Sequence, residues 1–252
     1  MQEIRWPQER ALLDTILEGS DKDALAAYEE ALQRWGSGSR NAVLMNAAAH
    51  PGLREAIAVQ MAALPLERST GGHRVNPPVK LAQTTSHLTA LAIGRTHSAG
   101  AVREAAAKNP VTTDEERLGM LPDASGRVWS AVARSLDDYS VEHCEALLAL
   151  YRPDLNERST FGDTQSFPFW KPLVTRAPHP WAYRFLADHP NAAWLIPDFQ
   201  KALIRNLRHE PEHPDWDMLT TMPITDGGVR EALAESPAAP EHIKVLAFLS
   251  SR

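Results

Sequence analysis

The stretch "RHEPEHP" contains His209, Glu210 and His213 in the order H-E-x-x-H. On a continuous helix this spacing places two histidines on one face, where they bind zinc while the glutamate serves as a general base. Pro211 lies between the two histidines, and in a helix its ring would clash with the carbonyl four residues earlier. The stretch therefore predicts a corner of the chain rather than a zinc-protease helix.

The other residues that could bind a metal or act as a nucleophile do not predict a functional site either. Four of the ten histidines directly precede a proline, without zinc-ligand spacing, and are expected at corners or on the surface: His50, His179, His189 and His213. The single cysteine, Cys144, excludes an internal disulfide and a four-cysteine metal site. It follows His143 on a predicted helix, where adjacent side chains do not face each other, so we expect an inert thiol near a packing face.

No other motif in the chain predicts catalysis. The "GGH" at residues 71–73 lacks the pattern of a phosphate-binding loop, and nucleophile-elbow and kinase motifs are absent from the sequence. The sequence thus predicts no catalytic residue, no metal and no cofactor.

Composition limits the possible classes of protein. The chain has 252 residues, of which 43% are hydrophobic, and this content is typical of folded domains. A net charge of −6 disfavours a general attraction to nucleic acid or to anionic membranes. The chain start has no apolar signal region and no apolar run approaches the ~20 residues of a membrane span, so we expect a soluble, cytoplasmic protein.

Helical segments of ordinary amphipathic spacing follow one another along the chain, broken by proline and glycine. The first two, "QERALLDTILEG" and "SDKDALAAYEEALQRWG", are predicted to end at Gly19 and Gly36, and the second to begin at Ser20. We predict that residues 1–40 form an N-terminal helical cap and that residues 41–252 form one repeat domain. Longer loops are expected at 65–78 and 152–168.

An internal repeat organises the second of these regions. "VREAAAKNP" at 102–110 matches "VREALAESP" at 229–237, and looser copies end at Pro51, Pro190 and Pro211, or at Leu136 in place of proline. The copies also agree beyond the motif: leucine follows both Pro110 and Pro211 after eight residues, proline after twelve, glycine after sixteen and valine after eighteen. Each unit is predicted to be an Ala-rich helix, a proline corner and a second short helix, which must stack on its neighbours to bury its apolar face.

Within the repeat, Thr113 and Glu116 have the spacing of a reciprocal helix cap. Helical periodicity predicts a set of residues buried between stacked helices: Val102, Ala106, Leu118, Val128, Leu219, Val229 and Ala234. It predicts a more exposed ridge beside them at Arg103, Glu104, Arg230 and Glu231.

The segments "VREAAAKNPVTTDEERLGMLPDASGRVWSAVARS" and "VREALAESPAAPEHIKVLAFL" resemble leucine-rich repeat variants, over roughly 102–136 and 203–249. The resemblance is weaker over 41–100 and poor over 137–178. It implies an all-α, right-handed α-solenoid of short variant leucine-rich or HEAT-like units, which serves as a scaffold and implies no particular chemistry. Some members of that family carry an N-terminal iron–sulfur module, but this chain lacks the matching cysteines.

Charge is uneven around residues 170–209, where six basic residues accompany two acidic ones and three tryptophans. Such a stretch can bind nucleic acid, but solvated charges over core tryptophans are the interpretation we favour. We predict a non-catalytic protein-interaction scaffold whose partner-binding residues are Arg103, Arg184, Arg205, Arg208, Arg230 and Trp181. The alternative is a DNA-binding or DNA-repair protein, resembling the HEAT-like alkylpurine glycosylases, that uses the basic surface around 170–209.

Overall fold

A computed structural model describes residues 4, 6–36, 41–66, 76–123, 126–150 and 167–249, and every structural statement below refers to these residues. They form sixteen α-helices and three short 3₁₀ helices, without any strand, which confirms the predicted all-α fold class. Most of the two predicted loops at 65–78 and 152–168 falls outside the described residues.

None of the helices in the described ranges is both long enough and apolar enough to cross a bilayer.

The chain divides into two compact units, which we call unit 1 (Met1–Leu136) and unit 2 (Asp137–Arg252). Unit 1 contains nine described α-helices and a 3₁₀ turn at Leu121–Asp123. The helices are α1 (Pro7–Glu18), α2 (Asp21–Trp35), α3 (Ala42–Ala48), α4 (Glu55–Ala62), α5 (Pro77–Thr84), α6 (Leu88–Thr96), α7 (Gly100–Ala107), α8 (Asp114–Leu118) and α9 (Gly126–Ser135).

The helix ends of unit 1 follow the local signals in the sequence. Ser20 accepts a hydrogen bond from the Asp23 amide at the start of α2, as its position predicts. Gly36 ends α2 with a φ of 69°, a left-handed conformation that glycine adopts without a steric penalty. Thr113 and Glu116 form the predicted capping box at α8, where each side chain bonds the other residue's backbone amide.

Helices two steps apart in the chain pack against each other in unit 1. Contacts join α1 to α3, α3 to α5, α5 to α7 and α7 to α9, while α4 packs on α6. Small residues permit the close approach: a β-carbon on Gly94 of α6 would lie 3.3 Å from that of Ala82 on α5 and 3.6 Å from that of Ala106 on α7. The core of the first helices includes Ile16, Tyr28, Leu44, Ile57 and Met61.

The predicted boundary at residue 40 lies inside unit 1. The helices α1 and α2 share one hydrophobic core with α3 and α4, and the division between compact units falls at Leu136. The role of residues 1–40 as a cap stays a prediction.

Unit 2 contains the remaining described helices, and two 3₁₀ helices at Pro190–Leu195 and Pro214–Asp217 precede α13 and α14. Within it α11 packs on α12 and α13, α13 packs on α15, and α15 packs on α16. The helices are α10 (Val141–Leu150), α11 (Phe167–Arg176), α12 (His179–Asp188), α13 (Ile196–Asn206), α14 (Met218–Thr221), α15 (Gly227–Glu235) and α16 (Glu241–Leu249).

The predicted repeat corners coincide with helix ends in both units. Pro51, Pro110, Pro190, Pro211 and Pro237 each follow the end of a helix by two to five residues. This agreement is expected because proline lacks the amide donor that a helix interior needs.

Most of the predicted repeat core is buried, but two positions are not. Five of the predicted positions are almost inaccessible: Val102, Ala106, Val128, Leu219 and Val229. Leu118 is only half-buried and Ala234 is exposed, so the prediction was wrong at these two residues. Ala107, the counterpart of Ala234, is buried on a helix that packs extensively on α5, α6 and α9, whereas the main contacts of α15 are with α13 and α16.

Candidate functional site

A small cleft between α10 and α12 of unit 2 combines aromatic and charged side chains. Its volume is about 200 Å³, and it is lined by Glu145, Leu148, Trp181, Arg184, Phe185, Asp188 and His189, whose ring centroid lies 4.9 Å from that of Phe185. Helix α10 buries Cys144 and Leu147 one turn apart, which leaves Glu145 and Leu148 on the side that faces the cleft.

A hydrogen bond between the two helices fixes the cleft floor. The indole Nε1–H of Trp181 donates to Glu145 Oε1 at 2.7 Å. Both rings of the floor are held in place, since Phe185 lies 5.5 Å from Trp181 and 5.4 Å from Trp170 between ring centroids, in stacked geometry. The Glu145 carboxylate is therefore oriented before any ligand arrives.

Charged side chains stand at the cleft mouth. Arg184 and Asp188 are one helical turn apart on α12, and both are exposed, as is Glu145. Among the described residues none of the three forms an ion pair within 4.0 Å. Besides His189, the ionisable groups of the cleft are two carboxylates and one guanidinium.

Of the six predicted partner-binding residues, the structure brings two together. Trp181 and Arg184 line the cleft, although Trp181 is only 3% exposed. Arg205 lies on the last turn of α13 and Arg208 in the turn after it, and both are exposed outside the cleft.

The other two predicted residues, Arg103 and Arg230, occupy the same position of the repeat and make the same local contacts. Arg103 Nη1 donates to the carbonyls of residues six and five positions earlier, at 2.5 and 3.0 Å. Arg230 Nη1 donates to the corresponding carbonyls at 3.4 and 3.2 Å. We call this contact the repeat latch, because it ties each helix to the segment that precedes it. Glu231 is exposed as predicted, while both arginines and Glu104 are half-buried.

Three of the six basic residues in the 170–209 stretch interact within unit 2. Lys171 pairs with Asp198 at 2.6 Å, and the guanidinium of Arg176 lies 4.3 Å from the centre of the Tyr139 ring. Lys201 pairs with Asp226 at 2.9 Å, and its hydrogen bond lowers the pKa of that carboxyl. Trp170 and Trp181 are buried, as the favoured interpretation of this stretch predicts, while Trp194 is only half-buried.

The H-E-x-x-H stretch forms the predicted corner. Helix α13 ends at Asn206, so His209 lies in a turn beyond it, and His213 Nδ1 accepts a hydrogen bond from the Asp215 amide. Asp215 in turn receives the Nδ1–H of His179 at 2.8 Å, while the Asn206 amide donates to Nε2 of that ring at 3.1 Å. With both ring nitrogens of His179 bonded, this cluster fastens the corner to α12.

A grouping of three or more potential metal ligands is absent from the described part of the chain.

The Cys144 thiol is fully buried, and its Sγ lies 3.7 Å from the Tyr139 carbonyl oxygen. Burial, with smaller contributions from Glu145 and Asp138, raises the pKa of the thiol to about 12. The thiol therefore stays protonated near neutral pH and has no nucleophilic character, as its helix position predicts.

One buried charge had no signal in the sequence. Arg117 of α8 is 2% exposed and donates to the carbonyls of Ala107 and Asn109 and to the Asp114 carboxylate. It thereby gives a hydrogen-bond donor to the carbonyl of the last residue of α7 and a second donor to the Asn109 carbonyl, which also accepts from the Thr112 amide. The charge pattern "DEER" around Arg117 is also typical of a solvated helix face, so spacing alone does not reveal its burial.

Comparisons of the chain with protein-family models, with curated proteins and with solved structures gave no match. The class that the fold defines is therefore an all-α protein of packed short helices, and the resemblance to leucine-rich repeat variants stays a prediction.

Proposed function

We propose that the chain is a non-catalytic protein-interaction scaffold, built as a right-handed α-solenoid of variant leucine-rich or HEAT-like units. The observation that supports the architecture is the succession of contacts between helices two steps apart, from α1 through α9 in unit 1 and from α11 through α15 in unit 2. Stacked units of this kind present long surfaces to a partner.

The α10–α12 cleft supports a partner-binding role for unit 2. Its volume of about 200 Å³ is below the roughly 300–1,000 Å³ of sites that enclose a drug-sized molecule. A cleft of this size suits one side chain of a larger partner. Trp181 and Arg184 are of the residue types that are enriched at the anchor positions of protein interfaces.

The nucleic-acid alternative depends on the cations of 170–209. Lys171 and Lys201 are paired with carboxylates, and Arg184 shares its cleft with Glu145 and Asp188. Phosphate binding requires cations that can replace counterions along the backbone. Arg176 lies over the Tyr139 ring, and the two cations that remain, Arg205 and Arg208, are too few to favour a nucleic-acid surface over a protein partner.

Photocrosslinking in the native cells tests the scaffold. A benzophenone side chain is placed at Leu148 in the cleft and, in a separate variant, at Leu88, which is 63% exposed in unit 1. We expect a discrete adduct from at least one position that protease destroys and nuclease leaves intact. Adducts destroyed by nuclease would instead support the nucleic-acid alternative, especially if Arg205→Glu with Arg208→Glu removed them.

A further inference from the structure

We infer that the α10–α12 cleft binds a basic side chain, arginine or lysine, of the partner polypeptide. This inference rests on the proposed scaffold function and adds the chemistry of the residue that the scaffold recognises. The carboxylates of Glu145 and Asp188 come from two different helices and line one cleft, so that a cation placed there is attracted from two sides.

The geometry of Glu145 favours this assignment. One of its carboxylate oxygens accepts the Trp181 indole proton at 2.7 Å, which leaves the other oxygen for a ligand. Because the indole already fixes the orientation of the carboxylate, less side-chain entropy is lost when the cation binds. An anionic ligand would have to approach this fixed negative charge.

The aromatic floor suits the rest of a basic side chain. Trp181 and Phe185 are 3% and 4% exposed, so they present a thin apolar surface at the base of the cleft. Arginine and lysine have apolar stems that pack on such a surface while their charged ends reach polar groups. A ligand with a charge but no stem would leave this surface in water.

Arg184 favours an acidic residue on the partner, next to the basic residue that the cleft binds. It stands one turn before Asp188 and is not paired with either cleft carboxylate within 4.0 Å. Its charge repels the bound cation, but it can pair with an acidic residue next to the cation in the partner's sequence. We therefore expect preferred segments to carry a basic residue with an acidic neighbour.

The test is a titration of the ¹⁵N-labelled full chain with blocked Gly-Arg-Gly tripeptide, followed on the Trp181 indole NMR resonance, which the Trp181→Phe variant assigns. We expect a saturable shift with a roughly millimolar dissociation constant. The matched citrulline tripeptide, which is neutral, and the glutamate tripeptide should produce none. The lysine tripeptide should bind with an affinity within about tenfold of arginine, since both carry the required charge.

Charge variants identify the groups responsible. Asp188→Asn should weaken binding about three- to fivefold, as expected when one partner of a solvent-accessible ion pair is lost. Glu145→Gln keeps an acceptor for the indole and should weaken binding similarly. Arg184→Gln should strengthen binding two- to threefold, and the exposed Asp217→Asn, which lies outside the cleft, should leave it unchanged.

Three results would overturn the inference: an equal shift with citrulline, binding of the glutamate tripeptide that Arg184→Gln abolishes, or no saturable shift with either basic tripeptide. A shift caused by a DNA duplex or by spermidine but not by the basic tripeptides would do the same. A protein adduct at Leu148 without tripeptide binding would support the proposed scaffold function and contradict only the binding of a basic side chain in the cleft. Tripeptide binding without any protein adduct would instead contradict the proposed scaffold function.

Discussion

Replacement of Arg117 by methionine is expected to destabilise unit 1 more than any exposed charge change. The guanidinium donates to two backbone carbonyls, of Ala107 and Asn109, at 3.1 Å each and to Asp114 at 2.8 Å. Methionine retains much of the side-chain volume but donates no hydrogen bond. The variant would leave those carbonyls and one carboxylate without the partner they have now.

The size of the effect follows from burial. Loss of one member of a buried ion pair costs about 3–5 kcal/mol, because the other charge stays desolvated. The side chain of Arg117 is 3% exposed, but that of Asp114 is 12% exposed and can recover some hydration. We therefore expect a loss of about 3–4 kcal/mol in the free energy of unfolding. At about 2–4 °C per kcal/mol for a chain of this size, the melting temperature falls by roughly 6–16 °C.

Urea and thermal unfolding, followed by circular dichroism at the helical minimum, measure this loss. Arg127→Met is the matched control, since Arg127 is exposed on α9 and the change in charge is the same. The control should shift the free energy by no more than about 0.5 kcal/mol. A loss below about 1 kcal/mol for Arg117→Met would refute the argument that this cation is required by the carbonyls around it.

Three further predictions concern buried groups. Burial raises the pKa of the Cys144 thiol to about 12, whereas the thiol of the unfolded chain ionises near its ordinary pKa of 9. The free energy of unfolding should therefore fall as the pH rises from 9 to 12, by up to about 1.4 kcal/mol per pH unit, and this slope, measured by urea unfolding, should be smaller in Cys144→Ala. The Tyr28 hydroxyl is buried without a hydrogen-bond partner among the described residues, so Tyr28→Phe should raise the free energy of unfolding by about 1 kcal/mol, and a loss of that size would contradict the assignment. Gly94→Leu should lower the melting temperature, at a cost of about 1–3 kcal/mol, because a β-carbon there already meets Ala82 at 3.3 Å; an unchanged melt would mean that α5 and α6 separate easily.

The helices and their corners were predictable because their signals are local. Proline at Pro110 or Pro211 and glycine at Gly36 act on the adjacent turn whatever the rest of the chain does. The exposure of Ala234 was not predictable, because its sequence context matches that of Ala107. The helices that carry them have different packing neighbours, and the sequence near each alanine does not contain that information.

The cleft was only half predictable for a related reason. Trp181 and Arg184 stand in a stretch with conspicuous aromatic and basic residues, and both were identified from it. Glu145 bonds Trp181 across 36 residues of sequence. A contact between residues so far apart in the sequence produces no periodic pattern along the chain. The role of the Glu145 carboxylate in the cleft therefore becomes visible only in the packed structure.

Departures from the repeat pattern identify the side chains that need an explanation beyond folding. Where α7 and α15 carry the latch arginines, the copy of the repeat in α12 carries Tyr183, whose hydroxyl lies 2.9 Å from that of Thr221 rather than near preceding carbonyls. Where α7 carries a small alanine, α12 carries Phe185, which fills the aromatic stack beneath the cleft. Arg103 and Arg230 recur at one position of the repeat and make the same contacts with the segment that precedes their helix, which supports a structural role for both. Arg184 and Asp188 line the cleft and have no ion-pair partner among the described residues, so these two residues are where we expect a binding partner to make contact.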